Sequence, residues 1–346
     1  MLESATQSDR VAAVLATTSA AALSVPATLH ASLMARLDRF GPMPKEIAQI
    51  GGVLGREFSY ELIEPVAQRP ERELQAALDQ LGDAGLLFCR GTAPHASYLF
   101  KHALVQDAAY STLLRRRRHE LHARVAAVLE GHFADLVERQ PELLAHHLTS
   151  AGDTERAVDQ WLKAGRHAAA RFTYREAIAH FERGLGLLQS LKESLVRDGR
   201  EIELQLALGL CLFTAKGALA AKPAHVRALE LAESSGEPQQ RFEALYGVWQ
   251  STRDNVSGGI AAAVPLSERL LRMAERDGDD GLRLQAHHSG WTTWFHAGDP
   301  AKTREHADAG RLLYDPEKHA SHRLERVAIK ADCIRNDGCS WRILQG

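Results

Sequence analysis

Apolar residues recur at helical spacing along most of the chain. Ser24-Val-Pro26 offers a capping side chain and a first-turn proline. Leu29, Leu33, Leu37 and Phe40 then fall at i, i+4, i+8 and i+11, one face of a helix that Gly41-Pro42 ends. A second short helix carries Ile47, Ile50 and Val53 as far as Gly55. A third, capped by Ser59, is expected to bury Leu62, Ile63 and Val66. A fourth spans 71–84 with Leu74, Leu78 and Leu81 on one face and Gly85 as its stop. The pattern then changes to short runs at 86–90 and 97–101 around Gly91-Thr-Ala-Pro-His-Ala96, which predicts a β-hairpin, and helix resumes from His102. Short helices, a hairpin and a further helix predict a winged-helix-like unit; the competing reading is a helical domain with an incidental β-ribbon.

From Gln140 the chain reads as paired helices. Trp161, Gly165, Tyr174, Ala177 and Phe181 match the spacing of a tetratricopeptide repeat, with Ala164 and Ala168 as weakened positions. The physical reason is steric. Gly165 and Ala177 let two antiparallel helices approach closely, while Trp161 and Phe181 fill the space around them. Weaker copies of the residue–Gly step occur at Leu208-Gly209, Tyr246-Gly247 and Ser289-Gly290, at intervals of 44, 38 and 43 residues. Turn signals sit where hairpins need them, at Gly152-Asp153, Gly236-Glu-Pro238, Gly278-Asp279 and Gly298-Asp-Pro300. These intervals exceed the 34 residues of a regular repeat and predict lengthened helical hairpins stacked as an α-solenoid rather than a plain bundle. The expected fold is therefore mainly α, a winged-helix-like unit with one β-hairpin followed by a tetratricopeptide-like α-solenoid. Its divisions are a flexible leader at 1–25, the winged-helix-like domain with its entry helix at 26–135, repeats at 136–322, and a poorly ordered tail at 323–346.

Composition narrows the function. The chain has 346 residues, Lys+Arg 42 against Asp+Glu 44, which excludes a strongly basic nucleic-acid protein or an acidic tail protein as the default. Cys89, Cys211, Cys333 and Cys339 are too few and scattered for a disulfide scaffold, so a reducing, cytoplasmic setting is expected. The Ala/Ser/Thr-rich start lacks the positive n-region of a signal peptide, and no stretch approaches the ~20 apolar residues of a membrane span.

Motifs for chemistry are sparse. No G-x4-G-K-[ST] phosphate loop and no G-x-S-x-G elbow occurs, and Gly51-Gly52-x2-Gly55 reads as a helix crossing. His119-Glu-x-His122 is one residue short of the zincin spacing, so both histidines are read as exposed helix residues. His319-x2-His322 with Cys333-x5-Cys339 is a weak zinc candidate beside ordinary surface residues, so no metal ligand is assigned. The only cationic run, Arg115-Arg-Arg-Arg118, lies beyond the hairpin, and the helix that would enter a DNA groove carries Glu71, Glu73, Asp79 and Asp83 against Arg72. The run is read as a solvated or interdomain face.

Several longer motifs resemble one bacterial group: Val25-Pro-Ala-Thr-Leu29, Ser32-Leu-Met-Ala-Arg-Leu-Asp38, Ala48-Gln-Ile-Gly51, Gly55-Arg-Glu-Phe-Ser-Tyr60, residues 100–110, Pro141-Glu-Leu-Leu-Ala-His-His147 and Trp161-Leu-Lys-Ala-Gly165. That group joins a class III adenylate/guanylate cyclase, an AAA or signal-transduction ATPase, and C-terminal tetratricopeptide-like repeats. The resemblance spans roughly 25–322 and implies that the cyclase and P-loop modules precede this region, acting as partners in cis or in trans. It also implies that the family's helices continue past Tyr314-Asp-Pro316, so the chain reads as a gene fragment or a separate subunit. ATP or ADP would be bound only together with a P-loop module. In such ATPases a Met-His-Asp motif of the winged helix touches a nucleotide phosphate. Phe100-Lys101-His102 takes the comparable place, with Phe100 for Met and Ala103 for Asp, which makes His102 a candidate nucleotide sensor beside a local capping or packing role.

The expected function is a non-catalytic regulatory and interaction segment that relays nucleotide state to a superhelix binding an unknown protein or small ligand. No catalytic residue is assigned, and neither nucleic acid nor membrane is an expected partner. The alternative is a winged-helix DNA-binding transcriptional regulator with a helical-repeat sensor domain.

Overall fold

In the computed structural model, residues 35–254 and 259–315 are described. The expected leader, the helix start at Ser24-Val-Pro26 with Leu29 and Leu33, the zinc candidates and the tail beyond 322 lie outside them. The chain divides into two units between Ala134 and Asp135.

The first unit begins with α1 (Pro42–Leu54), entered through Gly41 at φ +83° and a first-turn proline. It buries Ile47, Ile50, Val53 and Leu54. Gly51 lies under the rings of Phe58 and Phe100, while a Cβ on Gly52 would stand 3.3 Å from the backbone of Gln106 and of Tyr110. The glycine pair is thus a close crossing. Next come β1 (Glu57–Ser59), α2 (Tyr60–Ala67) and α3 (Glu71–Asp83). Ser59 Oγ accepts the amide of Leu62 at 3.2 Å, the expected cap, whereas Leu62 itself is half-buried rather than buried, with Ile63 and Val66 facing the core. Strands β2 (Leu87–Arg90) and β3 (Ser97–Phe100) form the hairpin. β1 pairs antiparallel with β3, giving the order β1-β3-β2. Phe58, Tyr98 and Phe100 turn inward, with Phe58 ring centroids 5.7 Å from Tyr98 and 5.9 Å from Phe100. Helices α4 (Ala103–Ser111) and α5 (Arg115–His132) complete the unit.

The second unit contains, among the described residues, one helix after another: α6 (Ala134–Arg139, across the division), α7 (Pro141–Ala151), α8 (Thr154–Ala170), α9 (Tyr174–Leu188), α10 (Leu195–Lys216), α11 (Ala218–Ser235), α12 (Pro238–Arg253), α13 (Gly259–Asp277), α14 (Asp280–Ala297) and α15 (Pro300–Leu313). From α7 on, each packs on the next. Taken in pairs from α8, the hairpins begin at Thr154, Leu195, Pro238 and Asp280, intervals of 41, 43 and 42 residues. Their ends follow local chemistry: Ser194, Asp279 and Asp299 each accept an amide of the first turn, while Gly152 and Gly298 stop helices in the left-handed conformation. The core falls into successive clusters along the stack. Phe181, Leu188, Leu204 and Leu208 fill its first part, and Phe242, Leu245, Trp249 and Leu270 a later one.

Candidate functional site

In the first hairpin, a Cβ on Gly165 would stand 2.2 Å from Cε1 of Phe181 and clash with the ring, so α8 and α9 meet with nothing between backbone and ring. Ala177, fully buried, continues the same contact face on α9. Trp161 is buried. Its indole N–H donates to Thr149 Oγ1 at 3.0 Å, its face stacks on His180 at 5.3 Å, and the Arg183 guanidinium covers it at 4.9 Å. Burial holds the His180 imidazole below its ordinary pKa against the opposing pull of Glu176 and Glu142. Tyr174 opens α9, half-buried, edge-on to Phe172 at 6.3 Å. Ala164 and Ala168 are both buried.

The later hairpins reuse this joint with a different ring. A Cβ on Gly209 would clash with the His225 imidazole, and one on Gly290 with the His306 imidazole. In all three cases the ring stands sixteen positions after its glycine, as 181 follows 165, 225 follows 209 and 306 follows 290. The same offset from Gly247 reaches Ala263, fully buried, and the vacated side of Gly247 is taken by His225, whose Cγ would be 2.6 Å from an added Cβ. His225 is thus clasped between two glycines. Its Nδ1 pairs with Ser251 Oγ at 2.8 Å, and burial pushes its pKa down to about 4 despite a hydrogen bond to the Gly247 backbone. Side-chain bonds also tie α12 to α14: Tyr246 Oη to His288 Nδ1 at 2.7 Å, and Trp249 Nε1 to Thr293 Oγ1 at 2.9 Å. Charged pairs tie α8 to α10, with Arg200 on Asp159 at 2.8 Å and Arg166 on Glu203 at 2.8 Å.

In the first unit, His102 immediately precedes α4 with an extended backbone, makes no side-chain capping bond and is exposed. Neighbouring Lys101 lies over the Phe88 ring at 5.4 Å, and Phe100 is fully buried. His102 therefore holds the N-cap position through its backbone alone and leaves its side chain exposed.

Two sequence readings need correction here. His122 is buried, not exposed: it accepts or donates at 3.1 Å with Tyr110 Oη, and the Tyr110 ring stands edge-on to it. The arginine run is not simply a solvated face. Arg117 reaches Glu46 at 3.1 Å, Arg116 pairs with Glu120 at 3.0 Å, and Arg118 lies over the Tyr110 ring at 4.3 Å. Among the described residues no group of three or more His, Cys, Asp or Glu could hold a metal ion, and no helix is long and apolar enough to cross a membrane.

No family model matches the chain. It is 26% identical over 299 residues to an uncharacterized protein of Rhizobium meliloti (strain 1021), covering 85% of this chain but only 28% of that protein. The chain thus spans little more than a quarter of the length of this curated relative. Among solved structures it is similar to aspartyl phosphate phosphatase F of Bacillus subtilis (11% identity, 86% of this chain and 76% of that one, TM-score 0.42). It is also similar to a signal-transduction ATPase with a tetratricopeptide repeat sensor from Pyrococcus horikoshii (11% identity, 84% and 46%, TM-score 0.38). A third is YrrB, a tetratricopeptide repeat protein with an unusual peptide-binding site (18% identity, 58% and 89%, TM-score 0.38).

Proposed function

We propose that this chain is a non-catalytic regulatory and interaction segment of a bacterial signalling ATPase associated with a nucleotidyl cyclase. A winged-helix-like unit relays nucleotide state, and a tetratricopeptide-like array binds a protein or small ligand. The observation that carries this reading is the glycine–ring joint, used in three of the four hairpins at one sixteen-residue offset. Such an array offers stacked helix faces for binding. Support for the winged helix comes from the element order α1-β1-α2-α3-β2-β3 with sheet order β1-β3-β2. Support for the relay is the resemblance at residues 100–110 together with the exposed His102.

The test is to sequence the DNA flanking the gene and translate it. An in-frame P-loop and the metal-binding carboxylates of a cyclase are expected upstream; flanking frames encoding neither would remove the proposed parent architecture. A DNA-binding role is the weaker reading, because Glu71, Glu73, Asp79 and Asp83 are exposed on α3 and repel phosphate. A mobility shift that weakens steeply with salt would reverse that ranking.

A further inference from the structure

At the hairpin of α14 and α15 two imidazoles meet head to head. His287 of α14 and His306 of α15 bring their Nδ1 atoms to 3.2 Å, with ring centroids 5.4 Å apart. Rings meeting end-on at that separation put their centroids about 5.5 Å apart, close to the distance observed. The geometry is therefore that of a hydrogen bond. One Nδ1–H donates to the bare Nδ1 of the other ring.

The pair sits inside the seam between α14 and α15, where Lys302 also lies over the Trp294 ring at 3.7 Å. Thr303 and Gly310 are the only buried residues of α15 among those described, and Leu312 near its end is 87% exposed. The His306 ring lies on Gly290, where an added Cβ would clash with it, and Trp291 closes on Gly310 at 2.7 Å from a Cβ there. The imidazole pair is thus one polar contact set within a close steric seam.

We propose that the His287–His306 pair is a proton-operated joint that fastens α15 to α14 near neutral pH and releases it in acid. The chemistry sets two steps. A first proton, taken up at the free Nε2 of the donor ring, keeps the bond, now from an imidazolium Nδ1–H to the bare Nδ1 of a neutral imidazole. A second proton sets N–H against N–H with two positive charges, and the joint opens. The facing charges act in both directions: Glu275 of α13 and Glu305 of α15 favour protonation, while Arg283 of α14 and Lys302 of α15 oppose it. Burial, then the second imidazole, holds His287 below the ordinary range; burial does the same for His306. Opening uncovers Gly290 and Trp291 on α14, an apolar face that the closed helix hides. This inference does not depend on the parent architecture proposed above.

Hydrogen exchange of the full chain at pH 7.5 and pH 5, corrected for intrinsic rates, tests it. Protection of α15 should fall at least roughly tenfold more than that of the α8–α9 hairpin between the two pH values. His306→Phe, which installs the ring that Phe181 supplies in the first hairpin, should abolish this extra fall. His287→Gln, which keeps a neutral hydrogen-bond donor, should abolish it as well and covers the case in which His306→Phe does not fold. An equal fall in both hairpins, or an extra fall that survives His287→Gln, overturns the joint. Stoichiometric zinc restoring α15 protection in wild type at pH 5 also overturns it, in favour of a metal site.

Discussion

The Phe181 ring occupies the space that a side chain at Gly165 would need. Phe181 is fully buried and has no room to retreat, so Gly165→Ala should destabilise the second unit by about 1–3 kcal/mol through overpacking. Gly186, exposed on α9 with nothing within 4 Å of an added Cβ, is the control. There Gly186→Ala should stabilise by about 0.5–1 kcal/mol, since alanine loses less backbone entropy in a helix. Urea melts of the two variants should move in opposite directions, and a shared direction would remove the steric account of the joint.

Trp161→Ala tests the neighbouring contact. The variant loses a buried indole, its stacking on His180 and its bond to Thr149, and leaves a cavity. A loss of about 3–5 kcal/mol is expected, with weakened protection spreading into the adjacent hairpins because each leans on the next. A thermal melt showing less than ~1 kcal/mol lost would mean that Trp161 is not a packing residue of the stack.

How much of this was legible from sequence differs by position. Trp161, Gly165 and Phe181 stand out because large rings and glycine are rare inside helices, and their spacing matches one packing geometry. The later joints are hidden because His225 and His306 replace phenylalanine, and a histidine on a helix reads as polar surface. Counting sixteen residues from each glycine would have found them. His122 was missed for the same reason: its burial depends on Tyr110, twelve positions earlier and on another helix. The hairpin was readable, but β1 is three residues long, too short for an alternating pattern, and exists because β3 offers it a free edge.

His225 makes stability depend on pH in a stated direction. Its folded pKa, about 4, lies below the ordinary imidazole value of about 6.5, so the unfolded chain takes up a proton that the folded chain refuses. The full stability is present above pH ~6.5 and is lost as pH falls toward 4, by about 3 kcal/mol from this group alone. Urea midpoints measured across that window should fall for wild type. His225→Gln, which cannot titrate, should start less stable and fall less steeply. Parallel slopes for the two proteins would show that His225 is not the group responsible.

His102 gives the test that joins the first unit to a mechanism. It is exposed and stands at the N-cap of α4 without a side-chain capping bond, so His102→Ala should leave the melt of the isolated chain within about 0.5 kcal/mol. If the ring touches a phosphate of nucleotide held by a P-loop module, the same change removes a charge-assisted hydrogen bond worth about 1.5–3 kcal/mol. Nucleotide affinity of the reconstituted assembly should then fall by roughly ten- to a hundredfold, enough to shift an on/off equilibrium. The decisive comparison is affinity in the assembly against the melt of the isolated chain, wild type beside variant. Weakened nucleotide binding with an unchanged melt identifies a sensor. Unchanged binding with a lowered melting midpoint makes His102 a local structural residue at the start of α4, and the relay would then have to run through other groups.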